Sequence, residues 1–522
     1  MMKKMKWVAL PAAVSLMLLS ACGSNGENKN SGAEKTAGEN SATAKSTQSA
    51  QATKESAKPE LKALMRLGPN FEKDPIAAML QEKTGYKVNY EALPVDKPED
   101  KLNLLIASSE PYDIVSTGGD SSSKAIYADY AKKGALVDLT PLIEQYGQNI
   151  KASLSAETLE MAKVDGKIYA IPTRSIESVG TSLMIRKDWL DKVGMQVPTT
   201  LDELTAVLKA FKEKDPGGNG AKNIPMAIKG DVPMVDNIVG AFGIVNDWND
   251  VNGQLVPRAM NPAFKEYLAF MSDLYKQGLL DQEFAINKDA TVKEKFTNGK
   301  VGVIVLHWAD IPQIDDALKK NFPDAEYVYV PALAGKDGQA GLAQSSGFDR
   351  ITFVPKSSKH PEDAIKWIDA KLNPDTFKNM AIGLEGTHHT FKDGNYYPIL
   401  PIFNDERGSA SNYLTGIDEK NYPIYWQARV RKDERLYKGW EALNKQQKPE
   451  VFKKNPLGLA PYLPKYSKED AQLGQMVNDY AVKVIVGGEQ LTGFDAFTEK
   501  YKQAGGQTSF DEINAWYATV HK

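Results

Sequence analysis

A tryptophan placed just after a buried strand can present a flat apolar face where open α/β sheets hold their ligands, beyond the carboxyl ends of the strands. Trp308 has that position. Lys300 to Leu306 (KVGVIVL) reads as a buried strand, with His307, Trp308 and Asp310 directly after it. Such a group suits a sugar, whose C–H faces need aromatic surface and whose hydroxyls need donors and acceptors at the rim. Trp426, in the aromatic, non-periodic stretch Tyr422-Pro423-Ile424-Tyr425-Trp426-Gln427, is a second candidate. Trp248, in the polar loop Asn246-Asp247-Trp248-Asn249, is a third. Trp189 and Trp367 lie inside helical apolar stripes and are expected in the core. Arg350 precedes a strand at Ile351–Pro355. Its planar five-donor fork could serve hydroxyls or a carboxylate, and an ion pair with Asp349 explains it equally well. Asp120, in Gly118-Gly119-Asp120-Ser121 after another strand, is placed to accept hydroxyl protons.

The same inventory offers little for bond-breaking. There are five histidines, and no HExxH, GxSxG, P-loop or GxGxxG stands in a supporting strand–turn–helix context. A glycosidase needs two carboxylates at a set separation, which sequence alone does not reveal. Non-covalent binding is therefore the leading expectation. A surface-anchored polysaccharide hydrolase or lyase is the alternative, and a sugar-sensing lipoprotein without transport is a third reading. Aromatic content does not single out sugars, because peptides and glycosides suit similar surfaces.

The elements around these residues alternate. Asp74–Gly85 patterns as a helix with Ile76, Met79 and Leu80 on one face, and Val88, Tyr90 and Ala92 alternate as a strand. A helix is expected over Leu102–Ala107, then a strand over Tyr112–Ser116 entering a Gly/Ser loop, Thr117–Ser123. Thr200-Leu201-Asp202-Glu203 fits a capping box ahead of the apolar stripe Leu201, Leu204, Val207, Leu208 and Phe211. Pro361 opens a further helix, and Lys468–Ile485 and the chain from Phe494 onward are mostly helical in pattern. Strands alternating with helices predict an α/β fold with largely parallel sheet, and some 460 residues of it exceed one compact domain, so two lobes are expected.

Composition agrees. The 522 residues are 42% hydrophobic and 25% charged, an ordinary globular balance. A formal net charge of −3 argues against a dedicated nucleic-acid partner. The single cysteine excludes an intramolecular disulfide framework. That cysteine ends a leader. Lys3, Lys4 and Lys6 precede an apolar run, Trp7–Leu19, which is too short to span a bilayer comfortably. The run closes on Leu19-Ser20-Ala21-Cys22-Gly23, which resembles a bacterial lipobox, so residues 1–22 are expected to be a signal peptide and Cys22 the lipidated N-terminus of the mature chain. Acylation there anchors a protein to the cell membrane without spanning it. Residues 23–58 contain no Val, Ile, Leu, Met, Phe, Trp or Tyr and are expected to be a disordered tether, with a reach of about 30–35 Å.

Lipobox, polar tether and two-lobed body together resemble the solute-binding lipoproteins of bacterial ABC importers. Gly166-Lys167-Ile168-Tyr169-Ala170-Ile171-Pro172 is similar to the strand leading into the first interlobe crossover. Leu183 to Gly194, then Pro198 to Glu203, is similar to the start of the second lobe. Phe296-Thr297-Asn298-Gly299-Lys300-Val301-Gly302 resembles the strand approach to the cleft. Gly383 to His389 and Lys392-Asp393-Gly394 resemble a segment of the larger oligosaccharide-binding members, which include alginate-binding proteins and firmicute proteins called lipoprotein LipO. The resemblance implies a periplasmic-binding-protein-like fold, with two α/β lobes joined by a hinge around a ligand cleft. Lobe one is then expected at 59–175 plus 340–400, and lobe two at 176–339 plus 401–522. It implies an oligosaccharide or related polar solute as guest, permease subunits as partners, the extracytoplasmic face as location and a monomer as working form. Arg174 and Glu177 fall near the implied crossover, as an interlobe ion pair or as ligand contacts. His388 and His389 are adjacent, so in a strand they face opposite ways and are not expected to share a metal. Lys214 to Pro225 resembles the calcium loop of the alginate-binding branch. Asp215, Asn219 and Asn223 remain as oxygen donors, while Gly217 and Ile224 replace ligands. One carboxylate neutralises a divalent cation poorly, so no cofactor is expected, with calcium as the alternative.

Overall fold

The computed structural model describes residues 57–68, 71–119 and 121–520. The leader, Cys22, the tether through Ser56 and Asp120 lie outside the described residues. In chain order the strands that matter are β1 (Leu61–Met65), β2 (Val88–Ala92), β3 (Ile114–Gly118), β4 (Ala170–Arg174), β5 (Thr181–Arg186), β6 (Ile224–Ala227) and β7 (Val301–His307). They continue with β8 (Tyr327–Tyr329), β9 (Leu342–Gln344), β10 (Phe348–Phe353), β11 (His389–Lys392), β12 (Asn395–Pro398) and β13 (Phe452–Lys454).

Two sheets organise the body. One has the order β2-β1-β3-β10-β4, the other β8-β5-β7-β6. Neither is largely parallel, contrary to the expectation from strand–helix alternation. In the first sheet β1 runs parallel to β2 and β3, but β10 is antiparallel to its neighbours. In the second, β7 is parallel to β6 and antiparallel to β5. The reason is the path of the chain. β5 and β10 each enter directly from the other sheet's territory, through short crossovers rather than helices. A strand entering where its parallel neighbours finish must run the opposite way. Thr181, the first residue of β5, accordingly faces His307, the last of β7, and Arg350 near the start of β10 faces Gly118 at the end of β3. The crossovers lie side by side, with Ser175 N–H donating to Gly347 O and Ser345 N–H to Ser178 O, both at 2.9 Å. A third segment, β13, pairs with β9 in parallel.

Each sheet is buried on both faces, as strand alternation requires. Leu61, Ala63, Met65 and Ile114 pack with Ile76, Leu80, Trp367 and Ile368. Leu64 and Val115 point the other way, onto Tyr112, Tyr127 and Phe353. In the second sheet Leu183, Ile185 and Val303 cover Trp189, Leu204, Leu208 and Phe211. Met184, Ile304 and Leu306 cover Phe296, Ile314 and Leu318. Trp189 and Trp367 are core residues, as their stripes predict. Phe403, Tyr413, Ile417, Tyr422 and Ala428 join the core of the first sheet, not the second.

Local signals account for most helices. The helix Leu201–Lys214 starts on Thr200, whose side chain accepts from Glu203 N–H at 3.1 Å. The returning Glu203 carboxylate reaches Thr199, one residue earlier than a capping box predicts, accepting from its N–H at 2.7 Å and its hydroxyl at 2.8 Å. These bonds hold the Glu203 carboxyl below its ordinary pKa. The expected Thr117–Ser123 loop is shorter than its composition suggests, because β3 runs through Gly118 and a helix begins at Ser121. Gly119 permits the close approach of β10. A Cβ there would stand 2.3 Å from Phe348 O.

Candidate functional site

β7 delivers His307 and Trp308 to the edge of the second sheet. His307 Nδ1 accepts from Ala309 N–H at 3.0 Å and so caps the turn Trp308–Asp310. The proton of the neutral ring therefore sits on Nε2. Burial holds the His307 pKa below its usual value, against the pull of Asp310. Gly180, in the first crossover, makes room for this ring; a Cβ there would lie 2.8 Å from Nε2. Trp308 is 9% exposed. Its ring meets Trp426 edge-on, with centroids 5.7 Å apart and an interplanar angle of 88°. Trp426 meets Trp440 at 5.9 Å. Trp426 also touches the apolar cores of both sheets, so it sits where they meet. The sequence predicts three of these groups, and His307, Trp308 and Trp426 do come together. Trp426 is not in irregular chain, however, but in a helix, Tyr422–Val430. Trp440 was missed. It comes from the helix Glu434–Asn444, which Asn444 pins to the crossover by bonding Val179 N–H at 2.7 Å and Val179 O at 3.1 Å. The indole N–H groups of Trp308 and Trp440 are buried without a partner among the described residues. Orphan donors of this kind call for a water or ligand oxygen.

Arg350 stands at the corresponding edge of the first sheet and is 8% exposed. Its Nε donates to Asp349 at 2.8 Å and its Nη1 to Asn412 O at 3.2 Å. The ion pair of the sequence reading is present, and Arg350 also lines a depression of about 330 Å³ with Arg66, Thr117, Gly118 and Asn412. Arg66 directly follows β1 and is exposed. This depression opens at the ends of β1 and β3. Tyr422 is buried nearby and feels the charges of Arg429, Asp349 and Arg350. One helix thus runs from Tyr422, within reach of the Asp349 and Arg350 charges, to Trp426, one turn later.

Asp236 is a further acid that sequence reasoning missed. It opens the short helix Asp236–Gly240, and its Oδ2 accepts from the Thr181 hydroxyl at 3.3 Å. The next residue, Asn237, accepts from Ser182 Oγ at 3.0 Å and Leu183 N–H at 2.9 Å, which fastens the turn to β5. Because Thr181 pairs with His307, the Asp236 carboxyl lies at the same sheet end as Trp308. Burial pushes its pKa up to about 6, although Arg258 pulls the other way. A half-buried carboxyl with so little compensation suits a ligand hydroxyl.

Other candidates go elsewhere. Trp248 is 3% exposed and packs edge-on against Tyr466 at 5.9 Å, among Leu457, Leu463 and Ile513. Its polar flanks belong to a hairpin edge, so it is a packing residue and not part of the tryptophan pair. Arg174 pairs with Glu157 and Glu177, each at 3.3 Å, and Glu177 with Lys454 at 2.7 Å, as the ionic reading anticipates. His388 Nε2 bonds Glu406 at 2.9 Å, while His389 Nδ1 bonds Ile382 O at 2.9 Å, so the adjacent rings serve separate partners. In the loop after Lys214, the Asp215 carboxylate accepts from Asn219 N–H at 2.9 Å and Gly220 N–H at 2.7 Å. The side-chain amides of Asn219 and Asn223 donate to Gly299 O at 2.7 Å and Phe211 O at 2.6 Å. Among the described residues no cluster of three or more His, Cys, Asp or Glu could hold an ion.

Two α/β lobes that meet at an aromatic contact, with strand ends and crossovers beside it, define a hinged binding protein. The chain belongs to the bacterial extracellular solute-binding proteins, whose family model matches residues 75–387, more than half of its length. It is 28% identical to lipoprotein LipO of Bacillus subtilis (strain 168) over 531 aligned residues, covering 98% of each chain. It is 24% identical over 455 residues to the polygalacturonan/rhamnogalacturonan-binding protein YtcQ of the same organism, covering 84% of this chain and 87% of that one. Among solved structures, the S. pneumoniae ABC-transporter substrate-binding protein FusA in complex with kestose superposes with a TM-score of 0.67 at 23% identity, covering 88% of this chain and 99% of the other. The periplasmic-binding-protein-like fold expected from the sequence is therefore the fold found.

Proposed function

We propose that this protein captures an oligosaccharide between its lobes and hands it, unaltered, to the permease of an ABC importer. The observation that carries the reading is the Trp308–Trp426 contact. One ring comes from the end of β7 and the other from a helix packed on the first sheet, at 5.7 Å. Opening the hinge parts two indole rings that stand at right angles, and closing it brings both onto whatever lies between them. Asp236, Arg350 and His307 supply hydrogen-bonding groups at the rim. Family membership supports the reading, as do a relative named for polygalacturonan binding and a structural neighbour holding kestose.

The lobes are best divided as 59–175 with 346 to about 430, and 176–345 with the remainder, since Leu342 packs in a core of the second sheet and β9 pairs with β13. This moves 401–428 from lobe two, where the sequence put it, to lobe one, because Phe403 to Ala428 pack under the first sheet. Cys22 is the proposed lipid attachment, after cleavage of the leader between Ala21 and Cys22, leaving a monomeric body tethered to the extracytoplasmic face of the membrane. No covalent chemistry is proposed. The test is calorimetric titration of the protein with kestose, nystose and oligogalacturonides, followed by mass spectrometry of the recovered sugar. Saturable one-to-one uptake with intact sugar is the expected result. New reducing ends would make it an enzyme, and no uptake would remove the oligosaccharide reading.

The Asp215 loop is proposed to close without calcium, since its one carboxylate already accepts two backbone N–H groups. Millimolar calcium is expected to leave Tm unchanged in a chelator-controlled melt. A site bound to the folded state alone would raise it by mass action.

A further inference from the structure

The ring series continues past the tryptophans. Tyr437 lies 5.9 Å from Trp440, and the Arg431 guanidinium is 4.4 Å from the Tyr437 centroid and 5.1 Å from that of Tyr397. Arg431 is thus held between two tyrosine rings. Its Nη2 donates to Asn395 Oδ1 at 2.8 Å and to the Tyr437 hydroxyl at 3.1 Å, and Lys445 donates to the same hydroxyl at 2.9 Å. The antiparallel hairpin β11–β12 sets the direction of each ring. Tyr396 and Phe391 pair on one face, where Tyr396 packs on Tyr425 at 5.4 Å. Tyr397 must point to the opposite face, toward Arg431, and is 40% exposed.

We infer that Tyr397, Arg431 and Tyr437 form an outer subsite that takes the continuing residues of a saccharide chain whose first residues lie at Trp308 and Trp426. The inference rests on the oligosaccharide reading and extends it to chain length. Two observations favour a sugar as occupant. The platform continues the tryptophan series ring by ring, and its rim carries hydrogen-bonding groups (Asn395, Arg431, Lys445) instead of aliphatic surface. The guanidinium is already locked by its bonds, so little side-chain freedom remains to be lost on binding. The protein should then prefer long chains to short ones of the same sugar.

The probes are trimers and octamers of inulin-type fructan and of oligogalacturonide, titrated into the full-length protein. The wild type is expected to bind the octamer of its preferred series about 10-fold more tightly than the trimer, the scale of one or two ring contacts. Tyr397→Ala should remove most of that advantage and leave trimer affinity unchanged, which also shows that the variant folds. Phe391→Ala, on the other hairpin face, should retain it. Equal wild-type affinity for trimer and octamer overturns the subsite. So does a Tyr397→Ala variant that keeps the advantage or loses trimer binding in parallel. Self-association of the wild type that Tyr397→Ala abolishes would make this face a protein contact instead. A wild type that binds neither series at either length overturns the oligosaccharide reading, and the subsite with it.

Discussion

Trp308→Ala is expected to weaken oligosaccharide binding by about 100-fold, while Trp308→Phe keeps affinity within about 10-fold of wild type. The indole supplies one of the two rings that close on the guest, and alanine leaves Trp426 without its partner ring. Phenylalanine keeps a flat face but lacks the indole N–H, which has no partner among the described residues. Because Trp308 also packs with Ile311 and Trp440, the alanine variant should melt earlier; burying a smaller group there costs about 3–5 kcal/mol. The Phe/Ala pair separates the two effects, and titration calorimetry beside a thermal melt measures both. An alanine variant that is less stable but binds like wild type would place the ligand elsewhere.

The second large effect has the opposite sign for stability. Asp236→Asn should stabilise the protein above pH 7 and weaken binding. The carboxyl pKa is raised to about 6 in the fold, whereas an unfolded chain ionises it near 4. The stability it contributes is therefore present below pH 4 and lost as pH rises through 6, as a half-buried carboxylate forms. Asparagine cannot ionise and escapes that loss, so the variant should gain about 2 kcal/mol at pH 7–8, with the difference vanishing below pH 4. Denaturant titrations across pH 3.5–8 check this. A ligand hydroxyl donating to Asp236 favours the ionised form, so wild-type affinity should rise from pH 5 to 7. Asp236→Asn should bind more weakly at pH 7 and show less of that rise. A variant with wild-type affinity and pH profile would reduce Asp236 to a structural residue.

What could be read from the sequence follows the range of the forces involved. β7 and its terminal Trp308 were legible because a continuous apolar run of strand length marks a buried strand, and the residue after it inherits its place. The helix holding Trp426 was not, since Pro423 in its first turn and crowded aromatic side chains hide the helical period. Trp248 misled for a related reason. Its neighbours are polar, and the ring that covers it, Tyr466, is remote in sequence. Asp236 carries no local signal at all; its position depends on Asn237 bonding β5 and on Thr181 pairing with His307. The direction of β5 and β10 was equally invisible, although a strand is legible at Ile351–Pro355, because it is set by crossing between lobes and not by their own side chains.

Small-angle X-ray scattering of the full-length protein, with and without a saturating oligosaccharide from the titration panel, tests the clamshell most directly. Closure of Trp308 and Trp426 on the guest predicts a smaller radius of gyration when sugar is bound, and no such change for Trp308→Ala at the same sugar concentration. Scattering from wild type that stays the same at full occupancy would contradict it.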